Sequence, residues 1–579
     1  MKFSLGPAQA AYEARLGRLD EQRFAERLWI HDDALWGDDP EHRKVAANRL
    51  GWLDVPHTLR VEVEALHTLA ISIWREGFTQ AVLLGMGGSS LAPEVLRLTF
   101  GVKPGAIELD VLDNTSPAAI RAIAANCDPK TTLFIVASKS GSTLEVSSFE
   151  KYFYDWVSAV RGDQAGRAFV AITDPGTALE KLAVERGYRR VCSNPPDIGG
   201  RYSALSYFGL VPASLIGVDT GDLIDTALTE AAASGPKIPA AENPGVRLGA
   251  ALGELALAGR DKLTLVLGPE IAALASWIEQ LVAESTGKLG RGIVPVAEET
   301  LGAPAVYGND RVFVAASVQP LATETESALT ALGAAGHPVL RWTIPSLLSI
   351  GAEFLRWEIA TATACTVLGV DPFDEPNVTE AKTATQAVLQ RYLTKGAFDP
   401  VVPVASAGGS SVEAPAGVAA ALRGRAGADP RSWIPALLSL GRPGDYLALL
   451  AYMHRTPERH ERLERLRHLL RDASRLATTT GYGPRFLHST GQLHKGGPNT
   501  GLFVQFTCDE GEDLAIPGEH YGFAALRRAQ AAGDYEVLVR SERRVIRLHL
   551  GQDVEHGLDA LIEAVAGHAA EPGRAASSR

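Results

Sequence analysis

The chain has 579 residues, of which 46% are hydrophobic and 21% are charged, and its formal net charge is −12. This composition is that of a soluble globular protein and excludes a wholly disordered or fibrous chain. The length predicts several domains, since roughly 150 residues is typical of one. The acidic balance lacks the basic surface of a general nucleic-acid binder, so no nucleic-acid partner is expected.

The four cysteines are far apart and form no CxxC pair, which argues against a disulfide framework or a zinc knuckle and favours reduced thiols. They are Cys127, Cys192, Cys365 and Cys508. The first residues contain no apolar core typical of a signal peptide. No apolar run approaches the ~20 residues that span a bilayer. A cytoplasmic protein without a membrane partner is therefore expected.

Residues from about 10 to 80 are predicted to be helical, because apolar side chains such as Leu59, Val63 and Leu66 recur at helical spacing. From residue 81 the period changes, and short apolar strands alternate with helices. Strands are predicted at 81–84, 107–112, 132–137 and 168–172. Fully apolar strands alternating with helices predict a parallel sheet covered on both faces.

A second set of alternating elements indicates another α/β domain in tandem, with strands at 263–267, 311–315 and 338–342 and helices at 271–284 and 346–368. A third set has strands at 446–450 and 502–506, a helix at 459–478, a hairpin-like end at 544–548 and a helix at 558–565. The predicted organisation is N-terminal helices plus a first domain (1–230), a second domain (231–400), a linker (401–425), a C-terminal α/β segment (426–570) and a disordered tail (571–579).

Two predicted strands end in loops of glycine and small hydroxyl residues directly before helices, at 85–90 (GMGGSS) and 138–143 (SKSGST). Open α/β sheets bind ligands at the carboxyl ends of their strands, and the backbone amides at helix starts bind anions. Either loop alone is equally explained by a tight turn with an N-cap. Two such loops at one edge favour a phosphate site. Neither has the spacing of a nucleotide-binding loop, so a phosphorylated small molecule is favoured over ATP or NAD.

The loops at 85–90 and 138–145 resemble those of glucose-6-phosphate isomerases, which are built from two sugar-isomerase (SIS) domains. Further segments match in family order over residues 80–385: 198–203 (IGGRYS), Gln280, 284–288 (ESTGK) and 371–378 (DPFDEPNV), reaching Lys382. The pattern is most similar to the isomerase half of bifunctional transaldolase/glucose-6-phosphate isomerases. The resemblance implies two tandem SIS-type three-layer αβα domains with parallel sheets, followed by the C-terminal α/β segment.

The resemblance also implies the activity, a reversible interconversion of glucose 6-phosphate and fructose 6-phosphate without a metal or an organic cofactor. The reaction opens the sugar ring and moves a proton between C1 and C2 through a cis-enediol. It needs a carboxylate base, a cation near the enediolate oxygen and an acid/base pair for ring opening. No repeating (βα) barrel with a Schiff-base lysine is evident, so transaldolase activity is not expected.

Site roles follow from the resemblance, residue by residue. Glu284 is the expected proton-transfer base, Arg201 the cation near the enediolate and Lys382 the lysine at the ring oxygen. Taken singly, these residues are also typical of a helix-end carboxylate, a salt bridge and a surface lysine. The expected substrate-binding residues are Gly88 and Ser89 near the sugar, Ser138, Lys139, Ser140 and Thr143 around the phosphate, and Glu145 and Gln280 as polar support.

Two positions depart from the family pattern. Glu375 stands where the family usually has glutamine, which brings a negative charge near the phosphosugar. The catalytic histidine that usually precedes the final lysine has no match, since residues 289–381 contain only His337 in a Gly-His-Pro turn. The matching phrase is at 487–492 (LHSTGQ), so His488 is the expected ring-opening histidine, and His494 is the alternative. In the family the partner subunit supplies this histidine, so either a homodimer or a self-contained monomer is expected.

Two other functions remain open at this point. One is a related phosphosugar isomerase, for instance one that also accepts mannose 6-phosphate. The other is a non-catalytic SIS module that senses a phosphosugar. A sensor needs the phosphate loops but has no need of Glu284, Arg201 and Lys382 together.

Overall fold

The computed structural model describes residues 1–570, and the predicted disordered tail at 571–579 lies outside them. The first 75 residues are mainly helical, as predicted; α5, for example, buries Leu66, Ala70 and Ile73 on one face. No helix among the described residues is long and apolar enough to cross a membrane. The elements here are β1 (Lys2–Ser4), α1 (Gln9–Glu21), α2 (Phe24–Trp29), α3 (Pro40–Ala47), α4 (Val55–Leu59) and α5 (Val63–Arg75).

The first sheet has five parallel strands in the order β3-β2-β4-β5-β6. Its central strand β4 is buried along its whole length, which is why its sequence is an unbroken apolar run rather than an alternating one. The elements are β2 (Gln80–Leu84), α6 (Leu91–Phe100), β3 (Glu108–Leu112), α7 (Pro117–Ala125), β4 (Thr132–Ala137), α8 (Leu144–Arg161), β5 (Phe169–Thr173), α9 (Ala178–Glu185) and β6 (Arg190–Ser193).

The second sheet has the order β1-β10-β9-β7-β8, in which the N-terminal strand β1 pairs antiparallel with β10 and the other pairs are parallel. Helices α10 (Tyr207–Leu215), α11 (Thr220–Ala233) and α12 (Pro244–Leu257) lead into it. The elements that follow are β7 (Lys262–Leu267), α13 (Leu274–Thr286), β8 (Val294–Val296), β9 (Arg311–Ser317), α14 (Thr323–Ala334), β10 (Val339–Thr343), α15 (Ile350–Leu368) and α16 (Pro376–Lys395).

The third sheet has six strands in the order β11-β12-β16-β15-β13-β14. The strands β14, β13, β15 and β16 are parallel, and the hairpin β11–β12 adds antiparallel strands at the edge. The elements are β11 (Ala405–Ala407), β12 (Ser410–Glu413), α17 (Ala416–Ala421), α18 (Trp433–Leu438), β13 (Tyr446–Tyr452), α19 (Pro457–Ser474), β14 (Ala477–Tyr482), α20 (Gly491–Gly496), β15 (Gly501–Thr507), α21 (Phe523–Arg540), β16 (Arg544–His549) and α22 (Val554–Ala570).

The α/β class with parallel sheets is confirmed, but three predictions about the third sheet are wrong. Residues 401–425 are not an irregular linker, because β11, β12 and α17 lie within them and β12 pairs with β16. The predicted helix at 459–478 ends at Ser474, and its last residues begin strand β14 instead. The strand at 544–548 pairs parallel to β15 across the intervening helix α21, so it does not form a hairpin.

All three sheets connect their first four parallel strands in the same spatial order, second-first-third-fourth.

The third sheet packs on the second through one apolar cluster. Alternate side chains of β13, including Ala448 and Leu450, join Ala283, Val294 and Phe486 in that cluster, whereas Leu447 and Leu449 point to the opposite face. This packing sets the loop after β14 against the carboxyl end of α13.

Candidate active site

Glu284 and Arg201 form a buried ion pair at the carboxyl end of α13. Arg201, 3% exposed, lies in the short turn Gly200–Tyr202, with its Nη1 3.4 Å from Glu284 Oε1. The guanidinium is fixed by bonds that Nε donates to Ser285 Oγ (2.9 Å) and Nη2 donates to the Pro372 carbonyl (2.6 Å). Nη1 also donates to Glu375 Oε2 at 3.0 Å. One guanidinium nitrogen therefore lies between two carboxylates.

This arrangement makes Glu284 a stronger base than an exposed glutamate. Burial raises the pKa of Glu284, Arg201 lowers it, and Glu375 raises it again, so that the net direction is upward. Burial lowers the pKa of Arg201, but Glu284 and Glu375 raise it further, so the guanidinium stays charged. A buried carboxylate with a raised pKa beside a permanent cation suits proton transfer next to a developing oxyanion.

Gln280 joins this pair to the loop that carries His488. It lies one helical turn before Glu284, and its Nε2 donates to Glu284 Oε2 (3.0 Å) and to the His488 carbonyl (2.7 Å). Gly87 in the turn Gly87–Ser89 also contacts this loop, since a Cβ there would lie 2.6 Å from the His488 carbonyl oxygen. A Cβ on Gly88 would lie 2.2 Å from the carbonyl oxygen of Gly200, so both glycines are required for close backbone approach.

His488 and Glu145 form a second hydrogen-bonded pair, between residues 343 positions apart in the chain. Nε2 of His488 lies 3.1 Å from Glu145 Oε1, and Gln530 Nε2 donates to the same oxygen at 2.8 Å. Burial raises the pKa of Glu145, but His488, a hydrogen bond from the Glu145 backbone amide and, least, Lys382 lower it, so the net direction is downward. Glu145 is also in the first turn of α8, where the helix dipole favours an anion. Glu145 is therefore an ionised partner for the imidazole.

A cavity of about 180 Å³ opens beside this pair, between the start of α8, helix α16 and the loop of His488. One wall carries the hydroxyl groups of the loop at 138–143, and the opposite wall carries Lys382. Its polar lining consists of Ser140, Ser142, Thr143, Glu145, Lys382, Thr385, Gln386, His488 and Gln530. The cavity thus holds hydroxyl donors at a helix N-terminus, a lysine and a histidine–carboxylate pair, which together suit a small phosphorylated ligand.

Comparison with known proteins agrees with this chemistry. Residues 74–302 match the family model of phosphoglucose isomerase. This part of the chain is similar to phosphoglucose isomerases. The chain is 29% identical over 391 residues to a glucose-6-phosphate isomerase of Rubrobacter xylanophilus, covering 59% of this chain and 89% of the relative. It is 28% identical over 418 residues to one of Thermus thermophilus, covering 63% of this chain and 97% of the relative.

A solved structure shares the fold. The crystal structure of a hypothetical protein, TT0462, from Thermus thermophilus superposes with a TM-score of 0.55 at 24% identity. The superposition covers 67% of this chain and 99% of that one.

The predicted phosphate-binding residues do not all lie at the cavity. Ser140 and Thr143 line it, and Ser138, which is buried, contacts Thr143 through a 3.0 Å hydroxyl–hydroxyl bond. Lys139 does not line it. Its ammonium pairs with Asp174 and donates to the Pro196 carbonyl at 3.0 Å, so its charge is already neutralised. Lys139 therefore stabilises the loop at 138–143 through these two contacts and does not point into the cavity.

The two histidine candidates have different surroundings. The side chain of His488 is 13% exposed and lines the cavity. His494 is buried against Tyr446 and Phe503, and burial lowers its pKa well below the usual range. His494 is therefore placed as a neutral core residue, and His488 is the histidine that the fold brings to Glu145.

Sequence reasoning missed two residues of the site. Ser142 was part of the loop motif but had no role assigned, and its hydroxyl lies 3.1 Å from Ser140 Oγ on the cavity wall. Gln530 lies in the middle of α21 within an ordinary helical stretch, so no spacing or motif marks it. Its contact with Glu145 results from the packing of α21 against helices α8 and α16.

Proposed function

We propose that this chain interconverts glucose 6-phosphate and fructose 6-phosphate, with Glu284 as the proton-transfer base. The observation that supports this most strongly is the junction at Gln280. Its side chain holds the Glu284 carboxylate and the His488 loop within hydrogen-bond distance of one amide, so the proton-transfer pair and the ring-opening pair share one site. A phosphosugar sensor needs only the loops, and it has no need of the buried Glu284–Arg201 pair.

The substrate phosphate would bind the hydroxyls of Ser140, Ser142 and Thr143 at the start of α8. Their positions at the amino end of an 18-residue helix place an anion where the helix dipole stabilises it. The sugar would then extend toward His488 and Lys382. This orientation brings C1 and C2 toward Glu284, on the far side of Gln280.

Ring opening would use His488 and Lys382. The imidazolium of His488 gives a proton to O5 as the C1–O5 bond breaks, and the neutral imidazole then takes up the proton of the C1 hydroxyl, with Lys382 beside the ring oxygen. Glu145 keeps the imidazole oriented and stabilises its charged form. The open-chain aldehyde is the form that Glu284 acts on.

Isomerisation would move one proton between the carbons and one between the oxygens. Glu284 removes the proton from C2 and the C1 oxygen takes up a proton, which gives the cis-enediol. Glu284 then returns its proton to C1 as the C2 hydroxyl releases its own proton, which balances the one taken up by the C1 oxygen, and the C2 oxygen becomes the ketone of fructose 6-phosphate. Negative charge that develops on the C1 and C2 oxygens lies near Arg201 Nη1. The side chain of Glu375 is 41% exposed, so it would leave Arg201 for solvent when these substrate oxygens approach.

One chain would complete the site alone. Glu145, Glu284 and Lys382 come from the first 395 residues, and His488 comes from the loop after β14 of the same chain. Gln280 joins Glu284 to this loop, and Glu145, Lys382 and His488 line one cavity. The family pattern, in which a partner subunit supplies the histidine, is then unnecessary. The specific activity should not fall on dilution to concentrations at which light scattering shows only monomers. A loss of activity that follows dissociation would contradict this.

A coupled assay tests the function. Fructose 6-phosphate is added to the purified chain and glucose 6-phosphate is detected through its dehydrogenase, with and without a chelator. Turnover in both arms is the expected result. Fructose 6-phosphate should also raise the unfolding temperature, and unphosphorylated glucose should not. Protection without any turnover would favour the sensor, and a parallel assay with mannose 6-phosphate measures tolerance at C2.

A further inference from the structure

Gln530 has a buried side-chain amide, and both of its polar atoms form hydrogen bonds with residues of the segment that builds the first sheet. It lies on α21 and is 1% exposed. Nε2 donates to Glu145 Oε1 at 2.8 Å, and Oε1 accepts from the hydroxyl of Thr115 at 2.8 Å. Because an ionised carboxylate can only accept, the amide presents its N–H group to Glu145, and its carbonyl oxygen then accepts from Thr115.

The packing of α21 explains why this contact is close. Helix α21 crosses α16 at Gly533, where a Cβ would lie 2.7 Å from the backbone nitrogen of Thr385. Gln530 and Lys382 each lie three residues before the crossing point on their helices. The close approach of the two helices therefore brings both side chains to the cavity that Glu145 also lines.

We propose that Gln530 is a positioning residue that holds the Glu145 carboxylate ionised and correctly oriented for His488. This inference deepens the proposed function and rests on it. Glu145 Oε1 accepts two hydrogen bonds, one from Gln530 and one from His488. With that oxygen fixed, Nε2–H of the imidazole points to Glu145, and Nδ1 is left to face the substrate. Among residues 1–570, Nδ1 of His488 has no hydrogen-bond partner.

The charge of the pair depends on the donated bond. A hydrogen bond to a carboxylate favours its ionised form, so Gln530 keeps Glu145 ionised and weakly basic, which limits how tightly it holds an imidazolium. The other groups that act on this pair are Lys382 from α16, which favours the anion of Glu145, and Glu284 from α13, which interacts with the charge of His488. Neither of them contacts Glu145 Oε1.

Gln530→Met tests the donated bond, because methionine is close to glutamine in size and cannot donate. Without the bond the carboxylate becomes more basic and holds an imidazolium more tightly. The titration midpoint of the His488 ring, followed by NMR in ¹⁵N-histidine-labelled protein, should rise by about half a pH unit or more. The isomerase kcat should fall at least about tenfold with KM nearly unchanged.

Gln530→Glu is the second variant. Two neighbouring carboxyl groups cannot both ionise readily, so at low pH the new side chain is protonated and still donates. Its kcat should therefore approach the wild-type value at low pH and fall as pH rises, unlike that of Gln530→Met. This pH-dependent rescue is a result that a role in packing alone would not produce.

Gln505→Met is the matched control. Gln505 is equally buried in the same third sheet, and its amide donates to the Ala531 carbonyl and to Asp534 rather than to Glu145 (both 3.1 Å). It should lower the unfolding temperature and leave the His488 titration and the pH profile unchanged. Two results would overturn the proposal. One is an unchanged His488 titration midpoint in Gln530→Met, and the other is an equal shift of that midpoint in Gln530→Met and Gln505→Met. The NMR titration needs no substrate, so an inactive wild type would contradict the proposed function without affecting this test.

Discussion

Glu145 and Glu284 are equally buried, at 6% exposure each, and each lies beside a basic side chain, yet their pKa values move in opposite directions. The difference lies in the remaining neighbours. His488 both attracts and hydrogen-bonds the Glu145 carboxylate, and the Glu145 backbone amide and Lys382 add to this, whereas Glu375 competes with Glu284 for Arg201. Burial alone therefore does not decide whether a glutamate side chain is protonated or ionised.

The comparison assigns the two carboxylates different tasks. A residue that accepts and returns a proton works best with a pKa raised toward the working pH, whereas a residue that orients a histidine must stay ionised. Glu284 meets the first requirement and Glu145 the second. Substitutions at either carboxylate, or at its neighbours, should separate these tasks.

Glu284→Gln should give the largest effect. It removes the proton acceptor but keeps the shape and the bond from Gln280, so kcat should fall by about 10²–10⁴-fold with little change in phosphosugar affinity. Steady-state kinetics with fructose 6-phosphate and a binding isotherm measure the two quantities. Glu358→Gln, at a buried glutamate on α15, is the control and should keep its activity. Near-wild-type turnover by Glu284→Gln would refute its role as the base.

His488→Ala should separate ring opening from proton transfer. Turnover of ring-closed glucose 6-phosphate should fall by roughly 10²-fold, while a phosphosugar too short to cyclise should be converted at nearly the wild-type rate. Both rates are measured by product formation. His494→Phe, which replaces a ring packed among aromatic side chains, should retain activity. Equal losses for both substrates would show that His488 has a general rather than a ring-opening role.

Ser140→Ala combined with Thr143→Ala should act on binding. The two hydroxyls are lost from the cavity wall, so KM for the phosphosugar should rise by about 10-fold or more, as expected for two bonds to a charged group, with a smaller change in kcat. Ser148→Ala is the control, since its hydroxyl on α8 donates to the Leu144 carbonyl of its own helix (2.8 Å). An unchanged KM would place the phosphate elsewhere.

Glu375→Gln should give the smallest effect, a shift in pH dependence. The charge of Glu375 raises the pKa of Glu284, so its removal should lower that pKa and extend the ionised base to more acidic conditions. The acidic limb of the kcat/KM profile should move to lower pH by less than about one unit. Glu380→Gln, a half-buried acid on α16, controls for loss of charge alone. A shift to higher pH would contradict this account of Arg201.

Much of the site could be predicted from local sequence. Gln280 and Glu284 are four residues apart, so a helix must place them on one face, and the loops at 85–90 and 138–143 follow strands of one parallel sheet, so they must meet at one edge. The N-terminal helices and most of the apolar strands were predictable for the same reason, since burial on both faces requires continuous apolar runs.

The errors occurred where short or polar segments acquire structure only by pairing. Strand β14 has the sequence ATTTGY and is separated from the charged helix α19 by only two residues. The sequence has no break between them, so the predicted helix extended into the strand. The hairpin β11–β12 consists of alanine, glycine and serine around one buried valine, Val412, and is ordered because β16 is its neighbour. Propensity alone is weak in such segments, and tertiary context decides.

The sequence by itself determined the family resemblance, the α/β class and the candidate base, because these depend on motifs and on periodicities of a few residues. Only the tertiary structure decided how the third sheet completes the site. The pairs His488–Glu145 and Gln530–Glu145 join positions 343 and 385 residues apart, and they form because two sheets pack through an apolar cluster and two helices cross at a glycine. The opposite pKa directions of Glu145 and Glu284 have the same origin, since each depends on charges that the fold brings from distant parts of the chain.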